Sequence, residues 1–392
     1  MTKRFKISLI TATLAMAAFN ASAAVEIYNN DGMTFSTDGL VNVFYSNSSV
    51  DETDAAGVES DHSQSRVRTG FLPSNIGFNF GKQLDDMKIS MRSSFWVSLS
   101  DSDNSRDASP ADLGTGSLID VRQFYATVSG GWGEVLLGKD FGLYNRANIL
   151  GDELLLGFGQ TSEFFGLVDG GNVSFGNIAT GYTYPFPKAQ ITYRTPDMNG
   201  FKLAIAVMDP NKVAANSNED LPRFEAELMY NTSFDNGSVK AWVSGVTQSS
   251  EVNDVDQDQS GVGYGVNVKF SGLSLTASGY SSEGLGHVAG LDQFVGPDSI
   301  ESEGYLVQAA YTLNDNRFVL TYGESETKNS GNVEAVGIVG DAVHSNTGFA
   351  YFRTVRPGLT AVVEYNNTEV DASNSLVAED NNTISIGAVV TF

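Results

Sequence analysis

Residues 262–270 read Val-Gly-Tyr-Gly-Val-Asn-Val-Lys-Phe, and every second side chain from Val262 to Phe270 is apolar. Successive side chains of a β-strand point to opposite faces, so this alternation predicts a strand with one apolar and one polar face. The same period of two recurs at 201–207, 305–313 and 384–392. No long amphipathic helical pattern follows residue 23. The sequence therefore predicts an all-β protein.

The connections between these strands alternate in length. Seven short turns are rich in Gly, Asn, Asp and Pro, as β-hairpin turns are; they lie at 83–86, 130–131, 197–200, 235–237, 271–272, 314–316 and 356–358. Eight longer polar stretches separate them, at 47–64, 101–117, 142–180, 210–221, 250–260, 284–303, 328–345 and 371–381. Fifteen connections imply sixteen strands, with the short turns at one end of the sheet and the long loops at the other. This asymmetry predicts a 16-stranded antiparallel transmembrane β-barrel with short periplasmic turns and long external loops.

A secreted β-sandwich is the alternative, because alternation shows that one face is apolar without showing what covers it. Three features favour the barrel. An even strand number closes the sheet and removes edges that hydrocarbon would not tolerate. The polar face is rich in Gly, Ser, Thr and Asn, as a water-filled lumen permits. The chain ends at an aromatic residue, Phe392, on the apolar face of its last strand.

The first 23 residues have the pattern of a secretory signal peptide. Lys3, Arg4 and Lys6 form a positive start, residues 7–19 are apolar, and residues 21–23 supply the small side chains that signal peptidase requires. The apolar run is shorter than the roughly 20 residues of a transmembrane helix. We expect cleavage after residue 23, export to the outer membrane of a Gram-negative cell, and a mature barrel at 24–392.

Composition excludes several functions. The mature chain carries 20 basic against 47 acidic side chains, a net charge of −27 that is incompatible with nucleic-acid binding. There is no Cys, and the three His residues lie far apart without a nucleophile motif, so we expect no enzyme, no cofactor and no metal centre. Residues 254–261 alternate carboxylates as calcium loops do, but Gln259 and Gly265 stand where an EF-hand needs Gly and an acid.

Two stretches resemble the Gram-negative general porins. Residues 24–35, Ala-Val-Glu-Ile-Tyr-Asn-Asn-Asp-Gly-Met-Thr-Phe, resemble the start of mature porins, and residues 121–139 resemble the family's hairpin with Arg-Gln before an aromatic residue and a second strand ending Gly-Lys. Phe392 matches the C-terminal aromatic that serves the family as an assembly signal. The resemblance implies a homotrimer embedded in outer-membrane lipid and lipopolysaccharide. It also implies that the third external loop, here 142–180, folds into the lumen and narrows the pore.

In that family, acids of the third loop face basic side chains of the opposite wall. The corresponding constriction-loop acids here are Asp152, Glu153, Glu163 and Asp169. The expected pore-lining basic residues are Arg92 and Arg194, by strand parity, and Arg122 and Lys139, by their match to the hairpin. An Arg or Lys facing lipid would cost about 2–4 kcal/mol at mid-bilayer, which favours inward orientation. The alternative for residues 142–180 is an acidic loop lying outside the barrel in solvent.

These features together predict a passive, water-filled channel for small hydrophilic solutes and ions. Asn75 and Asn79 stand where related porins carry cations, and with the charge of −27 this predicts a preference for cations. One alternative is a channel specific for a sugar, peptide or organic acid, with Trp96, Phe124 and Trp242 lining the lumen. Another is an adhesin or phage receptor that acts through its external loops.

Overall fold

The structure is a computed structural model that describes residues 24–54, 56–101, 119–163, 167–168, 173–212, 214–285, 300–329, 341–372 and 378–392. The predicted signal peptide lies outside these residues. No helix in the described ranges is long and apolar enough to cross a membrane.

The described chain is almost entirely strand, with one short helix. The strands are β1 (Val25–Asn30), β2 (Met33–Thr53), β3 (Glu59–Arg68), β4 (Ser74–Leu84), β5 (Met87–Val97), β6 (Ile119–Gly130), β7 (Gly133–Phe141), β8 (Pro187–Arg194), β9 (Phe201–Met208), β10 (Arg223–Phe234), β11 (Gly237–Val252), β12 (Val255–Phe270), β13 (Leu273–Glu283), β14 (Ile300–Leu313), β15 (Asn316–Asn329), β16 (Ala342–Arg356), β17 (Leu359–Ala372) and β18 (Ala378–Thr391); the helix is α1 (Arg146–Leu150).

The eighteen strands occupy sixteen positions around a closed antiparallel barrel. The long strand β2 pairs with β3 along its external half and with β4 along its periplasmic half, so β3 and β4 share one position. On its other side β2 pairs with β18 from Leu40 to Thr53 and with β1 from Met33 to Thr37, so β1 and β18 also share a position. The pairing of β18 with β2 closes the sheet and confirms the predicted 16-stranded barrel.

The barrel is apolar outside and polar inside, the reverse of a soluble protein. On β2, Val41 and Tyr45 point outward and are exposed, whereas Asn42 and Ser46 point inward and are buried. Apolar side chains are exposed on the outer face around the whole barrel, and Leu320 on β15 reaches 61%. Water would make such an uninterrupted apolar band costly, at about 25 cal/mol per Å². Hydrocarbon must therefore cover this face, which separates the barrel from the β-sandwich alternative.

All seven predicted short turns connect adjacent strands as tight hairpins. The predicted loop at 250–260 is wrong: β11 runs to Val252 and β12 begins at Val255, and only Asn253 and Asp254 turn the chain, both with positive φ. A hairpin turn of two residues needs such backbone angles, which Asn and Asp adopt more readily than most residues. The prediction failed because a strand that extends beyond the bilayer has water on both faces and so loses the alternation of apolar and polar residues. For the same reason β2 extends to Thr53, well into the predicted loop at 47–64.

The C-terminal Phe392 lies beside β2. Its backbone N–H donates to the carbonyl of Gly39 at 3.1 Å, and its own carbonyl accepts from the N–H of Gly39 at 2.9 Å. The strands β1 and β18 therefore meet at the periplasmic end of one barrel position. The role of Phe392 as an assembly signal stays a prediction.

Candidate functional site

The described residues of the connection between β7 and β8 lie inside the barrel, as the sequence analysis predicted for residues 142–180. Helix α1 begins this connection, and Tyr144, Leu154 and Tyr182 within it are fully buried. On the wall, a Cβ at Gly323 of β15 would overlap the carbonyl oxygen of Thr180, which shows how closely the loop approaches the strand. We refer to residues 142–186 as the inner loop.

An apolar patch on the inner wall receives the tip of the inner loop. Leu154 and Phe158 pack against Leu40, Phe44 and Phe352, which point inward from β2 and β16. The rings of Phe44 and Phe158 lie 5.5 Å apart between their centroids. These inward-pointing apolar residues break the polar pattern of the lumen because the loop, rather than water, covers them.

Three wall carboxylates hold the backbone of the inner loop. Glu225 accepts from the N–H groups of Leu143 and Tyr144. Glu364 accepts from the N–H groups of Phe158 and Gly159. Glu379 accepts from the hydroxyl of Ser162 and the N–H of Glu163. All three acids are nearly completely buried. We call Glu225, Glu364 and Glu379 the wall clasps. Irregular backbone needs such acceptors where no strand pairs with it, and hydrogen bonds to a charged acceptor are the strong ones.

Asp152 is a structural residue within the inner loop. It accepts hydrogen bonds from the hydroxyl of Tyr182 at 2.6 Å, the amide of Gln308 at 2.7 Å and the amide of Asn177 at 2.9 Å. Burial raises the pKa of the Asp152 carboxyl, while the hydrogen bonds from Tyr182 and Gln308 act in the opposite direction. Its carboxylate therefore stabilises the fold of the loop.

Glu153 reaches the opposite wall and pairs with Arg317 on β15. It also accepts from the hydroxyl groups of Ser274 at 2.5 Å and Thr276 at 3.1 Å on β13. Glu163 lies near the external mouth, where its carboxylate is 3.5 Å from the imidazole of His62 on β3. Asp169 lies outside the described residues.

Arg92 points inward from β5, as its strand parity predicted. Its guanidinium makes two hydrogen bonds with Asp38, at 2.8 and 3.0 Å, and donates to Gln123 at 2.9 Å. Gln123 in turn donates to Asp140 at 2.9 Å. The side chain is thus part of a network along the wall instead of facing the acids of the inner loop.

Arg194 also points inward and continues this network. It donates to Glu134 on the neighbouring strand at 2.8 Å and lies 3.6 Å from the carboxylate of Asp140. Asp140 is only 1% exposed. The charges of the network alternate in sign, so much of their field cancels along this side of the wall.

Arg122 and Lys139, both chosen by resemblance, differ in orientation. Arg122 lies at a bulge between β5 and β6, where the register shifts by one residue, and its side chain contacts the inward ring of Trp96. Lys139 is exposed on β7 and shares the outer face of the strand with Leu137, two residues earlier. The expectation that Lys139 points inward is therefore corrected by the geometry. It lies near the external end of its strand, where a long side chain reaches the headgroup region.

The structure brings further cations to the lumen that the sequence analysis missed, and four of them line one cavity. The four are Arg146, Lys240, Lys269 and Arg317, which line a cavity of about 620 Å³ between the inner loop and strands β10 to β17. Arg146 pairs with Glu227 at 2.5 Å and Arg317 with Glu153, whereas Lys240 and Lys269 form no ion pair with any described residue. Parity could have found Arg317, because Phe318 and Leu320 beside it are apolar and face outward.

A side chain of the wall also holds the later part of the inner loop. Arg68 of β3 is 1% exposed and donates to the backbone carbonyls of Leu167 and Val173. Among the described residues, no group of three or more His, Asp or Glu side chains is arranged to hold a metal ion. The site can thus confine, orient and attract or repel a solute.

Comparison with known proteins agrees with this geometry. A model of the Gram-negative porin family matches residues 11–373. No curated protein sequence matches the chain.

Three solved structures of similar fold cover nearly the whole chain. The outer membrane channel DcaP of Acinetobacter baumannii is 16% identical, with 93% of this chain and 99% of that chain covered and a TM-score of 0.64. The anion-selective porin from Comamonas acidovorans is 14% identical, with 92% and 100% covered and a TM-score of 0.63. Salmonella typhi OmpF, in complex with daunomycin, is 16% identical, with 94% and 100% covered and a TM-score of 0.55. At these identities the likeness shows the fold alone.

Proposed function

Since this chain belongs to the Gram-negative porin family, we propose that it forms a passive, water-filled channel through which small hydrophilic solutes and ions cross the outer membrane. The observation that carries the proposal is the inner loop, which is held across the lumen by the wall clasps and leaves a cavity of about 620 Å³ beside it. A barrel of sixteen strands is wide enough for an aqueous channel. The family and the fold are those of channels rather than enzymes.

The mechanism combines size exclusion with electrostatics. The inner loop occupies part of the cross-section, so a solute passes through the space left between the loop and strands β10 to β17. Glu153, Arg317, Lys240 and Lys269 border that space. Their charges act on a passing ion at short range, where water screens them least.

Conductance in a planar lipid bilayer tests the proposal. Purified protein should insert in discrete steps and conduct potassium chloride in proportion to voltage. The same preparation, unfolded by heat before addition, serves as the control. A correctly folded barrel that inserts into the membrane without conducting would refute the channel function.

Ion preference is a finer part of the proposal. The acids that border the cavity, among them Glu153, Glu227 and Asp315, support the predicted preference for cations. Lys240 and Lys269 oppose it, because they border the cavity without an ion-pair partner among the described residues. The reversal potential under a gradient of potassium chloride measures the balance, and a preference for anions would contradict the prediction.

Cellular setting and assembly complete the proposal. We expect export by a signal peptide at 1–23, insertion into outer-membrane lipid beside lipopolysaccharide, and assembly as a homotrimer. The continuous apolar band on the outer face supports contact with lipid. Mass spectrometry of the mature N-terminus tests the cleavage, and channels that close in groups of three in the bilayer would support the trimer.

A solute-specific channel is the second candidate. Trp96 and Trp242 are 3% and 4% exposed and point inward, which supports it, whereas Phe124 is 55% exposed on the outer face and does not line the lumen. Conductance that saturates or is blocked by one sugar, peptide or organic acid would favour this candidate. The third candidate, a loop-mediated adhesin or phage receptor, predicts a barrel that binds through its loops without conducting.

A further inference from the structure

A second cavity, of about 220 Å³, lies inside the barrel between the inner loop and strands β5 to β7. We call it the aromatic cavity because six rings border it: Phe71, Trp96, Phe141, Phe175, Tyr184 and Phe186. Several of these rings meet edge to face, with centroids 6.3 Å apart for Trp96 and Phe141 and 5.3 Å apart for Tyr184 and Phe186. Half-buried side chains such as Phe141 and Phe186 belong to its border, so water reaches it.

Arg122 is positioned at this cavity by the bulge between β5 and β6. Without the extra residue, strict alternation would turn Arg122 to the outer face with Phe124. Instead its guanidinium carbon lies 5.0 Å from the ring centroid of Trp96 and 5.8 Å from that of Tyr184. The group also donates to the hydroxyl of Tyr184 at 2.8 Å. Bulges that redirect a side chain are over-represented next to active sites, and this one places a cation against two rings.

Of the described charged side chains that border the cavity, Arg122 is the one a solute can reach most easily. Its side chain is 19% exposed, and its ionic partner Asp120 lies on the solvent side with 54% exposure. Asp140 is 1% exposed and engaged by Gln123, and Arg146 is 9% exposed and paired with Glu227. The accessible charge is therefore positive, and an exposed ion pair such as that with Asp120 is weak enough to be exchanged.

The size of the cavity limits the solute to one ring. A cavity of about 150 Å³ is known to accept benzene, and drug-sized ligands occupy roughly 300–1,000 Å³. A cavity of about 220 Å³ fits a single ring with one small substituent. A planar carboxylate suits a guanidinium, which can donate two parallel hydrogen bonds to it.

We propose that the aromatic cavity is a binding site for single-ring aromatic carboxylates, with the rings holding the solute's ring and Arg122 holding its carboxylate. This inference gives the proposed channel a solute class, and so its role in transport rests on the proposed function. Binding itself does not depend on conductance, which allows the two proposals to be tested separately.

Calorimetric titration of the full-length folded protein in detergent tests the site with four probes. Sodium benzoate should bind saturably at one site per chain. Benzamide, which has the same shape without the charge, and acetate, which lacks the ring, should each bind at least tenfold more weakly. Benzylammonium, with the opposite charge, should not bind measurably. Equal affinity for benzoate and benzamide, or tighter binding of benzylammonium, would overturn the proposal without any variant.

Variants locate the site. Arg122→Gln should weaken benzoate binding at least tenfold, whereas Arg356→Gln, at the exposed end of β16, should leave it unchanged. Unchanged binding in Arg122→Gln would place the benzoate elsewhere and overturn the assignment. In a bilayer, benzoate added to the wild type should reduce the current, and acetate should not. Benzoate binding without any conductance would refute the channel function and support the binding site. Conductance without benzoate binding would support the channel function and refute the binding site.

Discussion

Neutralising the wall clasp Glu364 should loosen the tip of the inner loop. Its carboxylate accepts from the N–H of Phe158 at 2.9 Å and of Gly159 at 2.6 Å, and Asn366 donates to it at 2.8 Å. Glu364→Gln replaces one oxygen with a donor, so one of the two buried backbone N–H groups loses its acceptor. Hydrogen bonds to charged groups contribute about 1.5–3 kcal/mol each. Protection of the amide that loses its acceptor should therefore fall about 10- to 100-fold in hydrogen exchange, since 1.4 kcal/mol corresponds to a factor of ten.

Hydrogen exchange followed by mass spectrometry of peptides from residues 155–160 measures this change. Glu369→Gln is the matched control, because Glu369 lies on the same strand but is exposed on the outer face and does not contact the inner loop. In a bilayer, Glu364→Gln should also admit larger neutral polymers. Unchanged protection in Glu364→Gln, or an equal loss in both variants, would show that the loop does not depend on this clasp.

Three further predictions concern the same architecture. Ser48→Cys with Thr161→Cys should form a disulfide between β2 and the inner loop, because the two hydroxyl oxygens lie 3.2 Å apart and the chain has no other Cys; unreduced gels should show faster migration. Lys240→Gln with Lys269→Gln should raise the ratio of cation to anion permeability about 5- to 30-fold, measured by reversal potential, since two lumen charges acting through water, each worth about 0.5–1 kcal/mol, together change it by about 1–2 kcal/mol. Gly323→Ala should lower the free energy of unfolding by about 1–3 kcal/mol, measured by urea titration, because the new Cβ meets the inner loop.

Each of these has a matched control. The single Ser48→Cys variant should migrate like the wild type. Lys82→Gln, at an exposed position near the turn between β4 and β5, should leave the reversal potential unchanged. Gly245→Ala should be tolerated, because the nearest atom to its Cβ lies 3.6 Å away. A missing disulfide, an unchanged permeability ratio or an unaffected Gly323→Ala variant would contradict the respective prediction.

Strand parity predicted much of the barrel because membrane hydrocarbon and lumen water impose opposite demands on alternate side chains. Arg92 and Arg194 were found in this way. Lys139 was wrongly placed inside the barrel because resemblance was given more weight than parity. Parity places it on the same outer face as Leu137. Arg122 shows the opposite case, because a bulge that no local pattern announces turned it inward. Parity is therefore reliable only while the register remains unbroken.

The contacts of the inner loop could not be predicted. Glu153 meets Arg317 across 164 positions of sequence, and nothing local specifies which wall residue the tip of a loop will reach. The wall clasps were missed for a related reason. A carboxylate such as Glu364, pointing inward from a strand, has the same sequence pattern whether it faces water or accepts from a buried backbone. Only the three-dimensional structure distinguishes a carboxylate that faces water from one that accepts from buried backbone.

The net charge of the chain and the charge of the pore are different quantities in this protein. The wall clasps accept hydrogen bonds from the inner loop. Asp51, Asp61 and Asp380 lie next to one another on adjacent strands, on the exposed outer face. Salt screens exposed charges beyond about 8 Å at physiological ionic strength, so acids outside the barrel have little effect on an ion within it. In the proposed channel, ion selectivity should therefore depend mainly on the inner wall, and the comparison of wild type with the Lys240 and Lys269 variant measures the contribution of that wall directly.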